Sequence, residues 1–144
     1  MKQLNNIQSA IFLIGGVLMV IGAGCFAAMW NQKAVCWIYL VGALMFAWMQ
    51  ISQTYEGTST AIHRLKKIMT TADIFFVLSG MLMVDSANKY MQNICNNYIT
   101  YVEYIYNKWV LLLLAAALLE IYTMHRISSE LRKEEQHQKK HKRR

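Results

Sequence analysis

Apolar and polar positions are segregated along this chain into long blocks. The run "AIFLIGGVLMVIGAGCFAAMW" (10–30) has no charged residue, and neither does "AVCWIYLVGALMFAWMQI" (34–51). A third run, 68–84, carries only Asp73, and a fourth, from about Ile105 to Met124, carries Lys108 at its start and Glu120 near its end. A helix needs about 20 residues to cross about 30 Å of hydrocarbon, so all four qualify. Too little polar sequence is left between them to coat a soluble globule. The pattern predicts an all-α integral membrane four-helix bundle of two antiparallel hairpins, with spans at about 8–30, 34–51, 68–85 and 105–125. The transmembrane domain is then 1–126, followed by a cytoplasmic tail, 127–144, helical at first and then disordered.

The joints refine this picture. "NQK" (31–33) is so short that spans one and two form a tight hairpin. The longer joint 52–67 has Gly57 and Thr58 as helix breakers. In the segment 85–108, Met91, Ile94, Cys95, Tyr98, Val102 and Ile105 fall at helical spacing beside Gln92, Asn93, Asn96, Asn97 and Glu103. That spacing predicts an external helix lying in the membrane interface before span four. There is no proline, so plain, unbroken helices are expected. Lipid gives helices no hydrophobic drive to associate, so Gly15, Gly16, Gly22, Ala23 and Ala27, with Gly42, Ala43, Ala47 and Ala115–Ala117, are expected to line close helix seams.

Composition agrees, with 56% hydrophobic and 16% charged residues. The net charge of +7 is informative through its placement. Putting the N-terminus, the 52–67 joint and the tail on one side gathers Lys2, Arg64, Lys66, Lys67, Arg126, Arg132, Lys133, Lys139, Lys140, Lys142, Arg143 and Arg144, against Lys33, Lys89 and Lys108 opposite. Cytoplasmic loops retain Lys and Arg, so both termini are expected in the cytoplasm, at a bacterial inner membrane. "GAGC", ending at Cys25, is a poor lipoprotein cleavage box because Gly22 stands where a Leu-like residue belongs, and the first run is expected to remain as an uncleaved span. The closing "HQKKHKRR" carries five Lys and Arg residues and no acidic one, and anionic lipid headgroups are its expected partner. It has no aromatic ring on which a base could stack, so nucleic acid is not expected.

Candidate chemistry is sparse. Asp73 and Glu120 each lie about five residues inside the cytoplasmic boundary, roughly 7 Å deep at 1.5 Å per residue. Arg64, Lys66, Lys67, His125 and Arg126 are near the same level, and long basic side chains can reach inward while keeping their heads near water. One reading anchors the two carboxylates to these cations and locks spans three and four in register. The other makes them a proton- or cation-binding pair, because low dielectric favours the neutral carboxyl. The number of neighbouring cations favours anchoring. Cys25, Cys36 and Cys95 all fall toward the external side, where an oxidising compartment permits a disulfide; buried cysteine as a small hydrophobe is the plainer reading. The histidines show no metal-ligand spacing, and there is no phosphate-binding loop, catalytic motif or cofactor box.

In layout the chain resembles small four-span proteins of bacterial inner membranes, through its two hairpins, its "HRLKK" internal joint and its "EIYTMHRI" exit. That resemblance implies no activity. Small multidrug exporters share the span number, but they carry their essential carboxylate in the first span, and this first span has none. Four-span thiol oxidoreductases use a Cys-x-x-Cys pair, also missing here. The sequence therefore points first to a non-enzymatic membrane protein, an accessory or scaffold subunit with a membrane-protein partner or a second copy of itself. A small proton-coupled transporter using Asp73 and Glu120 is the alternative, and a thiol redox protein using Cys25, Cys36 and Cys95 the third.

The charge distribution makes a direct prediction about topology. Single cysteines placed at positions 57 and 97 on a cysteine-free background should differ in intact cells, with an impermeant maleimide labelling only position 97. Labelling at 57 alone would reverse the assignment.

Overall fold

A computed structural model describes residues 6–53, 57, 59–94, 97–106 and 108–143. Among these residues the chain is helical, without strands. Its elements are α1 (Asn6–Ala27), α2 (Gln32–Ser52), α3 (Thr60–Asn88), a 3-10 turn (Met91–Asn93), α4 (Tyr98–Tyr104) and α5 (Trp109–Lys142). The helices α1, α2 and α3, and the stretch containing α5, are long and apolar enough to cross a membrane. Lys2, Thr58, Cys95, Asn96 and Arg144, which the sequence reading singled out, lie outside the described residues.

Helix ends depart from the expected spans where packing extends or interrupts them. α3 starts at Thr60 rather than near 68, because Leu65 and Met69 continue its buried stripe and pack with Ile127 and Leu131 of α5. α5 starts at Trp109 rather than 105, where the buried Trp109 ring meets Phe26 edge-on at 5.1 Å between centroids. Its far end runs to Lys142, so helix also covers residues 137–142, where the sequence reading expects disorder. Pairs such as Glu130 and Lys133, joined at 2.9 Å, support that extension, and the ammonium holds the Glu130 carboxyl below its usual range. The joint between α1 and α2 turns through Met29 and Asn31, both with positive φ, at 58° and 44°.

α1 packs on α2, α2 on α3, and α3 on α5. The α1–α2 seam is made by glycine. A Cβ on Gly22 would stand 2.8 Å from Tyr39 Cβ and 3.0 Å from Tyr39 Cα, and one on Gly42 would stand 2.9 Å from Leu18 Cβ. Gly80 of α3 receives the Tyr39 ring in the same way, with Tyr39 Cδ1 3.1 Å from where its Cβ would be. The buried Tyr39 hydroxyl then donates to the Phe76 carbonyl at 3.4 Å. Phe26, Tyr39, Phe76, Met83, Trp109 and Ala116 belong to one core that runs through all four long helices. A groove of about 390 Å³ lies between α1 and α5, lined by Gly16, Ala23, Leu113 and Ala117 with Phe46 of α2 among others.

Gly24 supplies a built-in control, since nothing lies within 4 Å of its would-be Cβ. Gly→Ala removes the same backbone entropy at either position, worth about 0.5–1 kcal/mol in a helix. Gly24→Ala should therefore hold or raise the thermal midpoint in detergent, whereas Gly22→Ala should lower it, because overpacking against backbone costs about 1–3 kcal/mol.

Candidate functional site

Each of α2, α3 and α5 buries one stripe, and each stripe carries a polar residue near the end closest to Ser52 and Thr60. In α2 the stripe runs Cys36, Tyr39, Ala43, Ala47, Gln50; in α3 it includes Met69, Asp73, Phe76, Gly80, Met83; in α5 it is Trp109, Ala116, Glu120, Thr123, Ile127. Spacings of three and four place these residues on one face per helix, so Gln50, Asp73 and Glu120 must point inward with their apolar neighbours. Ala47, Ala72 and Ala116 lie within a turn of them and keep the helices close.

The three side chains form a buried layer. Relative exposure is 2% for Gln50, 1% for Asp73 and 6% for Glu120. Gln50 Nε2 donates to Glu120 Oε1 at 2.6 Å, and Asp73 stands within electrostatic reach of Glu120. The remaining oxygens, Gln50 Oε1, Asp73 Oδ1 and Oδ2, and Glu120 Oε2, have no hydrogen-bond partner. Most buried polar side-chain atoms are hydrogen-bonded, so four orphan acceptors in one layer single it out as the candidate site. Beside it Thr123 is satisfied locally, donating to the Leu119 carbonyl at 2.8 Å. Between α2 and α3 a cleft of about 290 Å³, lined by Leu44, Trp48, Ile51, Asp73, Ile74 and Leu78 among others, opens against the layer from the side.

The cations expected to anchor these carboxylates do not do so. Arg64, Lys67, His125 and Arg126 are exposed, and Lys66 is half-buried. Among the described residues none of them pairs with Asp73 or Glu120. The geometry explains this. Asp73 and Glu120 belong to the stripes by which α3 and α5 face each other, whereas Arg64, Lys67, His125 and Arg126 lie off those stripes and Lys66, on the face of Asp73, stands two turns or roughly 10 Å away along the axis. Closeness in sequence and depth therefore does not bring the charges together.

Cys25 and Cys36 are free thiols, and Cys36 Sγ lies 3.2 Å from the Lys33 carbonyl as a local donor. Burial pulls Cys36 into the α2 stripe, in the manner of a small hydrophobe. Among the described residues no group of His, Cys, Asp and Glu is arranged to hold a metal.

A third buried carboxylate, Asp85, was not singled out from the sequence. Its Oδ1 accepts from the Met91 amide at 2.7 Å and its Oδ2 from the Tyr101 hydroxyl at 2.9 Å. These bonds fold the chain back after α3, where Lys89 takes a left-handed conformation at φ 57°. They also account for a correction. The expected single helix is instead a 3-10 turn and the seven-residue α4, with Tyr101 buried and Met91, Ile94, Tyr98 and Val102 left exposed. Gln50 was missed too. The available signal was its position three residues after Ala47 and seven after Ala43, on the face that the small residues mark as a seam.

No family model matches this chain, and no curated protein or solved structure is found to be similar to it.

Tyr101→Phe removes one of the two bonds to Asp85. A net loss of about 1 kcal/mol is expected, read as faster amide hydrogen exchange in 89–106 with exchange in α1 and α2 unchanged. Equal acceleration throughout the chain would contradict a local role for this clasp.

Proposed function

We propose that this is an integral membrane protein of a bacterial inner membrane, with both termini cytoplasmic, that couples proton binding at the Gln50–Asp73–Glu120 layer to movement of a small solute. The observation that carries the reading is the set of four orphan acceptors on two buried carboxyl groups and an amide, with no cation among the described residues paired to them. Two ionised carboxylates held this way in low dielectric would repel each other and lose their hydration. Protons relieve both costs. One proton on each carboxyl gives two donors, which is the number needed to engage the four free oxygens as two hydrogen bonds. Release of those protons exposes acceptors, so occupancy of the layer changes what holds α2, α3 and α5 together. The lateral cleft against Asp73 gives a solute a route to the same place.

Several features support the membrane setting. Gly15 lies against Phe46 and Gly22 against Tyr39, so numbers rise along α1 as they fall along α2, as in an antiparallel hairpin. Ile14, Val20, Trp48, Ile51, Leu111 and Leu118 stay exposed, as lipid-facing residues would. With α5 helical to Lys142, Arg126, Arg132 and Lys133 are the cations placed to meet anionic headgroups. Lys139 and Lys140 stand roughly 20 Å beyond Arg126 along the axis, further than the ~8 Å over which charges act at physiological salt. A second reading, an accessory subunit, is favoured by the apolar groove between α1 and α5, which has room for a contact from a partner helix.

Asp73→Asn and Glu120→Gln keep shape and remove the titrating groups. In proteoliposomes loaded with a pH-sensitive dye and offered a panel of small cations, amines and neutral metabolites, wild type should show solute-dependent dissipation of an imposed proton gradient. Both variants, folded by circular dichroism, should lose it by at least ten-fold. Undiminished coupled flux in the variants would sink the proton-coupling reading. Capture of one stable membrane partner, with no flux in wild type, would replace it with the accessory role.

A further inference from the structure

A layer that exchanges protons also has a state in which the protons have left. Resting on the proton-binding reading above, we infer that the partly deprotonated Gln50–Asp73–Glu120 layer is a binding site for a monovalent metal cation, which exchanges with one proton.

The donor set supports this. Every orphan atom of the layer is oxygen: an amide carbonyl from Gln50, both carboxylate oxygens of Asp73, and Oε2 of Glu120. Oxygen-only sets suit hard cations and discriminate against zinc and copper, which favour nitrogen and sulfur. Gln50 is held with its amide nitrogen toward Glu120 at 2.6 Å, which leaves Oε1 as a pure acceptor with no donor to satisfy it. Three helices contribute, so the ligands are not a run of acidic residues on one surface. Each is more than nine-tenths buried.

Charge decides the valence. Loss of one proton leaves a single negative charge on the layer, and one monovalent cation restores neutrality. The charged groups on the packed elements offer no internal substitute. Lys33, the charged residue of α2, lies at its opposite end; on α3, His63, Arg64 and Lys67 are exposed and Lys66 half-buried; on α5, His125 and Arg126 are exposed. Divalent ions fit less well. Calcium takes six to eight oxygens and magnesium keeps several waters in an octahedron, whereas the layer has four free oxygens in a packed seam beside Ala47, Ala72 and Ala116.

Buried protonated carboxyls react with dicyclohexylcarbodiimide, and a cation that displaces the proton protects them. Purified full-length protein in detergent would be treated at constant ionic strength in sodium, potassium or choline chloride, and adducts at Asp73 and Glu120 mapped by mass spectrometry. Choline is too large for the layer and reports the unprotected rate. Sodium or potassium should slow labelling at least five-fold against choline, and the half-protecting concentration should fall about ten-fold per pH unit, as one-for-one exchange requires. Gln50→Leu should still be labelled but need several-fold more cation for protection. Labelling that is the same in all three salts overturns the cation site while leaving the proton-binding reading intact. No labelling of either carboxyl in choline at any pH overturns both.

Discussion

Hydrocarbon provides no hydrogen-bond partner, so a chain that crosses it must satisfy its polar groups internally. Within the four long helices nearly everything visible obeys this. Backbone groups are paired along the helices, the Ser79 hydroxyl donates to the Trp109 carbonyl at 3.0 Å, and Tyr39 reaches the Phe76 carbonyl. Asp85 finds both of its partners at the edge of the apolar region. The exceptions are the Ser86 hydroxyl, which stands alone, and the Gln50–Asp73–Glu120 layer, where four unpartnered oxygens gather in one place on three helices.

The packing around that layer explains why it can persist. Glycine brings α1 onto α2 at backbone distance, and Gly80 accepts Tyr39 across the next seam. The helix that carries Gln50 is thereby fixed from both sides. Between α3 and α5, contact continues past the layer through Leu65, Met69, Ile127 and Leu131. Asp73 and Glu120 thus sit inside a seam closed at both ends, which holds them apart from the cations at the helix surface. A polar network in such a setting is costly unless each member is satisfied, so the proposed occupancy by protons or a cation would bear directly on how the three helices fit.

Much of this architecture was legible in the sequence, because span length and charge segregation are one-dimensional signals. The four apolar blocks set the four long helices, and the small residues of α1 and α2 marked their seam. Where the reading failed, the cause was angular or long-range. Arg64, Lys67, His125 and Arg126 lie near the depth of the carboxylates but not on their helix faces, and Lys66 shares the face of Asp73 but stands two turns away from it. Gln50 looked like an ordinary end of a span until α5 placed Glu120 against it. Asp85 and Tyr101 are sixteen positions apart, and their bond breaks up an apolar periodicity that by itself reads as one helix. The reach of α5 to Lys142 reflects continuous helical propensity and local pairs such as Glu130–Lys133, which outweigh the mutual repulsion of the last basic residues.

The central claim is that the carboxyl groups of Asp73 and Glu120 are balanced by exchangeable protons and not by the protein's own cations. Infrared difference spectroscopy between acid and alkaline pH reads this directly, because a protonated carboxyl in an apolar site has its own carbonyl stretch, set apart from the carboxylate bands. The account predicts such a band in the wild-type spectrum, shifted by deuterium exchange, weakened in Asp73→Asn or Glu120→Gln and absent from the double variant. A wild-type spectrum whose protonated-carboxyl bands are the same as those of the double variant would contradict it.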